Sequence, residues 1–87
     1  MASYALGIKA SARKELDAID DSVFDRIAKK VAELAEDPRP VGCKKLKGYS
    51  DLWRIRIADY RVIYPVNDTR RSVEITRVAH RREVYDL

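Results

Sequence analysis

The chain has 87 residues and a formal net charge of +4; 46% of its residues are hydrophobic and 37% are charged. This length predicts one domain over residues 1–87, because a second hydrophobic core of useful size does not fit. No apolar run approaches the roughly 20 residues that cross a bilayer, so we expect no membrane contact and a cytoplasmic location. The one cysteine, Cys43, excludes an internal disulfide framework and a zinc finger.

The positive charge lies in the second half of the chain. Residues 1–43 hold 7 basic and 8 acidic side chains, whereas residues 44–87 hold 11 basic and 6 acidic ones. A one-sided cationic surface favours a polyanionic partner such as nucleic acid. A solvated basic face, or a contact for an acidic protein, explains the same charge about equally well.

The first half predicts one strand and two helices. Apolar residues alternate over residues 4–8, which is typical of a short strand. Helical periodicity then follows over residues 10–19 and again over residues 22–36. The second helix must end near Asp37, because Pro38 disfavours the helical conformation before it. Two consecutive helices with a short joint indicate a helical hairpin.

The second half predicts three strands at a period of two, over residues 52–57, 60–66 and 72–79. Pro65 lacks the N–H that a strand interior needs, so we expect a bulge or a sheet edge there. The order of elements predicts an α+β fold. It has an N-terminal strand, a two-helix hairpin packed on one sheet face, and a three-stranded antiparallel meander.

Arginines on these strands are the main candidates for chemistry. Arg54 and Arg56 share one strand face, about 7 Å apart, which is close to the spacing of phosphates along a nucleic acid. Arg61 opens the next strand, and Arg81 follows the last one with His80 and Tyr85 nearby. Guanidinium groups bind phosphate oxygens in pairs and stay charged, so such a cluster can hold an RNA backbone. Outward arginines on a solvated sheet face are the ordinary alternative.

Further basic residues are candidates for RNA or rRNA binding: Lys44, Lys45, Lys47, Arg77 and Arg82. A lysine-rich loop is more often only solvated. No ligand set for a metal, no glycine loop for a phosphate cofactor and no paired carboxylates occur, so we expect no metal and no cofactor.

Six segments in this order resemble the RelE/ParE superfamily of bacterial toxins, the toxic halves of type II toxin–antitoxin pairs. They are residues 11–16 (SARKEL), 37–40 (DPRP), 45–48 (KLKG), 52–56 (LWRIR), 59–64 (DYRVIY) and 79–85 (AHRREVY). The resemblance spans essentially the whole chain and is strongest to the RelE branch. It implies a RelE-like microbial ribonuclease fold.

The resemblance also implies an activity and its partners. RelE-like toxins cut mRNA in the A site of the small ribosomal subunit, without a metal, by attack of a ribose 2′-hydroxyl on the adjacent phosphate. A RelB-like antitoxin is the implied protein partner, and contact with DNA is implied only indirectly, through that antitoxin. By position, Arg54, Arg56, Arg61, Arg81 and Tyr85 match the catalytic residues of the branch.

One departure concerns the proton acceptor. The two sites matched by Arg54 and Arg56 are often lysines in the RelE branch, and an arginine cannot act as a general base near neutral pH. His80 has a suitable unperturbed pKa and is a candidate proton acceptor. A plain surface histidine explains it equally well.

Two other functions stay open from the sequence. A ParE-like toxin would inhibit DNA gyrase by binding, without cutting RNA. A degenerate relative would survive only as a partner-binding module.

Overall fold

The computed structural model describes residues 3–48 and 51–82. Two helices, α1 (Ala10–Asp17) and α2 (Asp21–Glu33), follow the first strand, β1 (Ala5–Ile8). The other strands are β2 (Lys44–Lys45), β3 (Leu52–Ile57), β4 (Tyr60–Asn67), β5 (Ser72–Ile75) and β6 (Arg77–His80). The predicted α+β fold, with a strand, a helical hairpin and then an antiparallel meander, is confirmed.

The strands form one sheet in the order β1-β5-β4-β3-β2, and β6 pairs with β4 beyond the end of β5. Among the strands of the described residues, only the β1–β5 pair is parallel. The antiparallel pairing of β3 with β4 extends through six residue pairs and closes on the two-residue turn Ala58-Asp59. Ala58 takes a positive φ of 53° in this turn. The meander therefore carries most of the sheet and brings strands from the second half of the chain side by side.

Both helices pack against the same face of the sheet. The α1 and α2 stripes supply Ala12, Leu16, Ile27 and Val31 to the core, which also contains the helix-facing residues of β3, β4, β5 and β6. In β3, Ile55 and Ile57 belong to this core, as their period of two predicts. Within the described ranges, neither helix is long and apolar enough to cross a membrane.

Several element boundaries differ from the prediction, most of all those of the helices. The first helix stops at Asp17 instead of residue 19, and the second runs from Asp21 to Glu33 instead of residues 22–36. Residues 34–36 continue as turns, because the backbone tightens before Pro38. The short strand β2 was not predicted, since two consecutive lysines in a lysine-rich segment before Gly48 carry no strand pattern. It pairs with Arg54 and Trp53 of β3.

The predicted third strand is split by a bulge opposite Pro65. Val66 pairs with Val73, whereas Ile63 pairs with Arg77. Two β4 residues therefore face three residues of the partner segment, which is one residue too many for a regular ladder. The Thr76 N–H and the Thr76 hydroxyl both donate to the Ile63 carbonyl, over 2.9 Å and 3.1 Å. The bulge or edge expected at Pro65 is thus a bulge.

This bulge changes which residues of the last strand face the helices. Val73 and Ile75 of β5 lie in the core, and strict alternation would continue with residue 77. After the extra residue, Val78 takes the core position instead. Arg77 and Ala79 therefore lie on the face away from the helices, and Arg81 follows them at the same period.

A network of polar contacts holds the segment after α2 against the sheet. The buried Tyr64 hydroxyl donates to the Pro38 carbonyl over 2.8 Å. Arg39 pairs with Asp68 over 2.6 Å, and its guanidinium lies 5.1 Å from the Trp53 ring. The Tyr4 hydroxyl donates to the other Asp68 oxygen over 2.7 Å. These contacts tie the N-terminal residues and the segment after α2 to β3, β4 and the β4–β5 turn.

Replacing Tyr64 with phenylalanine tests the buried contact. Tyr64→Phe leaves the Pro38 carbonyl without its donor, so we expect a loss of about 1 kcal/mol of unfolding free energy. In a domain of this size that is a melting temperature about 4–8 °C lower by calorimetry or circular dichroism. Tyr60→Phe is the matched control, because the Tyr60 hydroxyl makes no hydrogen bond among the described residues. Equal shifts for both variants would contradict the assignment.

The Arg39–Asp68 contact predicts an acid-sensitive part of the stability. The hydrogen bonds from Arg39 and Tyr4 lower the pKa of the Asp68 carboxyl below its ordinary value. The Asp68 carboxylate therefore makes its full contribution to the unfolding free energy above a pH of about 4, its unfolded-state pKa. That contribution is lost as the pH falls through the lower folded-state pKa. We expect Asp68→Asn to melt below the wild type at neutral pH and to converge with it in acid. A gap that stays constant to pH 2 would contradict this.

Candidate nucleic-acid interface

Three arginines lie together on the sheet face that the helices do not cover. Arg56 of β3 is paired directly with Arg61 of β4, and Arg54 lies two residues along β3 from Arg56. Side chains of directly paired residues start about 5 Å apart, and those two apart on one strand start about 7 Å apart. The predicted convergence of Arg54, Arg56 and Arg61 is present.

Two further cations extend this group at its two ends. Lys44 of β2 pairs with Arg54, so it lies on the same face. Arg81 follows β6 and lies on that face as well, because the bulge puts Arg77, Ala79 and Arg81 on the side away from the helices. The Arg81 N–H also donates to the Asp59 carbonyl over 2.7 Å. We call the set Lys44, Arg54, Arg56, Arg61 and Arg81 the cationic track. It crosses β2, β3 and β4 to the end of β6.

Two arginines of the track are buried without a counter-ion. Arg54 is 4% exposed and Arg61 is 9% exposed, and the Nε atom of each has no hydrogen-bond partner. Among residues 3–48 and 51–82, no carboxylate forms a salt bridge with Arg54, Arg56 or Arg61. Buried charges in proteins are normally paired, because desolvation is costly. This pair of guanidinium groups therefore lacks the anion that would balance it.

The pKa values of both buried arginines reflect the missing anion. Burial lowers the pKa of the Arg54 guanidinium, and the nearby charges of Arg56 and Arg61 lower it further. Burial also lowers the pKa of Arg61, as do the charges of Arg56 and Arg81, whereas Asp59 raises it. An arginine keeps its proton near neutral pH despite such shifts, so the track stays cationic. Its members repel one another until an anion binds.

One carboxylate lies at the end of the track. Asp59, in the turn between β3 and β4, has its Oδ1 atom 3.7 Å from the Arg81 Nε atom. Its carbonyl oxygen also accepts the Arg81 N–H. The sequence reasoning did not single out Asp59, although it is the only acidic residue between the arginines of β3 and β4. Its position in a two-residue turn between two arginine-bearing strands was the sequence signal that could have identified it.

His80 does not join the track. It pairs with Tyr60 and packs edge-on against the Tyr60 ring at 5.4 Å between centroids. Its Nδ1 atom accepts the Arg82 N–H over 3.1 Å. The ring lines a hollow of about 300 Å³ beside Glu15 and Ile19. Since this hollow is on the helix side of the sheet, we do not retain His80 as the candidate proton acceptor.

The remaining predicted basic residues lie apart from the track. Arg77 turns to the sheet edge, where its Nε atom pairs with the Glu15 carboxylate over 3.2 Å. The other Glu15 oxygen accepts the Val78 N–H over 2.9 Å. Lys45 pairs with Trp53 and so points away from Lys44. The remaining two candidates, Lys47 and Arg82, are exposed.

The predicted catalytic residue Tyr85 lies outside the described residues. Within the described ranges, no group of three or more histidine, cysteine or acidic side chains is placed to hold a metal ion. The chemistry that the track itself offers is electrostatic. Guanidinium groups at this spacing can grip successive phosphates and stabilise extra negative charge on one of them.

Comparison with known proteins agrees with the resemblance. Residues 6–85 match the family model of the ParE toxin of type II toxin–antitoxin system, parDE. The chain is 32% identical over 87 residues to the mRNA interferase toxin RelE of Escherichia coli (strain K12), covering 95% of this chain and 90% of the relative.

Solved structures show the same fold. The archaeal RelE–RelB complex from Pyrococcus horikoshii OT3 contains a chain that matches with a TM-score of 0.81 and 30% identity, over 91% of this chain and 96% of that one. The isolated E. coli RelE toxin matches with a TM-score of 0.78 and 32% identity, over 95% and 92%. The family model and the full-length relative together establish that this chain belongs to the ParE toxin family of type II toxin–antitoxin systems.

Proposed function

We propose that this chain is an endoribonuclease, an mRNA interferase that cleaves mRNA in the A site of the small ribosomal subunit and so stops translation. The observation that carries the proposal is the pair of buried arginines, Arg54 and Arg61, whose Nε atoms lack any partner in the described part of the chain. A structural role would not require uncompensated charge, whereas a bent RNA backbone supplies it. The naming of the E. coli relative as an mRNA interferase agrees with this activity.

The proposed reaction needs no metal and no cofactor. The 2′-hydroxyl oxygen of the A-site nucleotide attacks the adjacent phosphorus, and the bond from phosphorus to the 5′-oxygen breaks. The 2′-hydroxyl loses its proton and the leaving 5′-oxygen gains one, which gives a 2′,3′-cyclic phosphate and a 5′-hydroxyl end. The pentacoordinate phosphate carries an extra negative charge, which Arg54, Arg56, Arg61 and Arg81 stabilise.

Each residue of the proposed site has a distinct role. Arg54 and Arg61 bind the scissile phosphate, because their charges are least screened by water. Arg56 adds its charge to the same phosphate, Lys44 contacts a flanking phosphate, and Tyr85 stacks on a splayed base. The four arginines stay protonated, so none of them accepts the 2′-hydroxyl proton.

The proposed protein partner is a RelB-like antitoxin. Structures of RelE–RelB complexes among the matched folds support this partner. An acidic, partly disordered chain would neutralise the cationic track and relieve its internal repulsion. DNA contact is proposed only through the antitoxin.

Mapping of mRNA ends in an in vitro translation reaction tests the activity. We expect added protein to produce cuts within A-site codons, with 5′-hydroxyl ends downstream. Replacing the attacking 2′-hydroxyl of that codon by hydrogen should abolish the cut, because the nucleophile is lost. Cleavage that survives the 2′-deoxy substitution would contradict the mechanism.

The ParE name of the family model makes gyrase inhibition the second candidate. Intact mRNA together with altered plasmid supercoiling would support that function and overturn the nuclease proposal.

Replacing Arg61 separates a functional from a structural role. We expect Arg61→Gln to lower the single-turnover cleavage rate by about 100-fold or more, because a donor to the transition state is lost. The melting temperature of the free toxin should stay unchanged or rise by about 2–5 °C, because a buried unpaired charge is removed. Arg70→Gln, an exposed change in the β4–β5 turn, is the control. Retained cleavage, or a large loss of stability, would contradict the role.

A further inference from the structure

The turn between β3 and β4 contacts Arg81 in two ways. The Asp59 carbonyl accepts the Arg81 N–H over 2.7 Å, and the Asp59 Oδ1 atom lies 3.7 Å from the Arg81 Nε atom. Both side chains are about three-fifths exposed. Arg81 is thus fixed at its backbone, whereas its long side chain is held only by this one carboxylate within the described residues.

The neighbouring charges explain why this carboxylate matters. Arg81 lies close enough to Arg61 for its charge to lower the pKa of the Arg61 guanidinium, and Asp59 acts on Arg61 in the opposite direction. Repulsion from Arg61 favours rotamers that carry an exposed Arg81 side chain into solvent, and the side chain has many such rotamers. The Asp59 carboxylate, beside the Arg81 Nε atom, instead favours rotamers that keep the Arg81 guanidinium near Arg61.

We propose that Asp59 is a positioning residue of the nuclease, which holds the Arg81 guanidinium beside Arg61 at the end of the cationic track. The inference rests on the proposed function and adds a residue to it. Asp59 does not touch the RNA or donate a proton; it acts through Arg81. Its charge also repels the incoming RNA backbone, so it favours catalysis at some expense of affinity.

This double effect predicts opposite changes in turnover and binding. Asp59→Asn keeps the backbone carbonyl that accepts the Arg81 N–H and removes only the side-chain charge. We expect its single-turnover cleavage rate on programmed ribosomes to fall about three- to fivefold, the range of an exposed ion pair. Its Kd for ribosomes programmed with 2′-deoxy A-site mRNA should stay equal to the wild-type value or fall. General misfolding would weaken both.

Two companion variants define the comparison. Asp59→Glu keeps the charge and should restore most of the cleavage rate. Asp17→Asn removes a carboxylate of similar exposure that pairs with Arg13 on α1, over 3.1 Å, and should leave cleavage unchanged. A wild-type rate for Asp59→Asn, or weaker binding that accounts for its whole loss, would overturn the inference.

A double-mutant cycle tests whether Asp59 acts through Arg81. Once Arg81→Ala has removed the guanidinium, adding Asp59→Asn should cost no further rate. An undiminished three- to fivefold loss in that background would refute the positioning role and leave the proposed nuclease intact. A wild-type protein that cuts no A-site mRNA would instead overturn the proposed function, and this inference with it.

Discussion

Repulsion among arginines that lack a counter-anion is the constraint on which the rest of this molecule depends. Arg54 and Arg61 are nearly buried, and Arg56 neighbours both of them, two residues from Arg54 on β3 and directly paired with Arg61 on β4. The free protein gains nothing from this arrangement, because buried like charges oppose folding. The β3–β4 pairing nevertheless fixes the position of each arginine Cα atom and directs its side chain to the face opposite the helices.

The opposite face of the sheet supplies the stability that this requires. Ile55, Ile57 and Val62 alternate with the arginines along the same two strands and pack under both helices. Along β3 and β4, therefore, residues that form the apolar core alternate one by one with the arginines that form the cationic track.

Much of the fold could be predicted from the sequence, because its periodicities are long and unmixed. The alternation of residues 52–57 placed Arg54 and Arg56 on one face, and the short joint before Tyr60 brought Arg61 beside them. His80 was expected near the arginines because it precedes Arg81 in the sequence, although adjacent residues of a strand face opposite sides of the sheet. Pro65 predicted a bulge or an edge, but only the contact of Thr76 with Ile63, thirteen residues away, shows which residue is the extra one. The Asp59–Arg81 contact was missed because it joins two turns that are distant in the sequence.

The bulge at Thr76 lets the length of one connection vary without changing the faces of the strands that it joins. Between Val73 and Arg77 the chain has three residues where β4 has two. Because Arg77 lies opposite Ile63, loss of the extra residue would leave a regular ladder in which Ile75 and Val78 still face the helices. Such a deletion would remove the hydrogen bonds from Thr76 to the Ile63 carbonyl and would keep Arg81 on the side of the cationic track. This connection can therefore shorten by one residue without moving the arginine that follows β6.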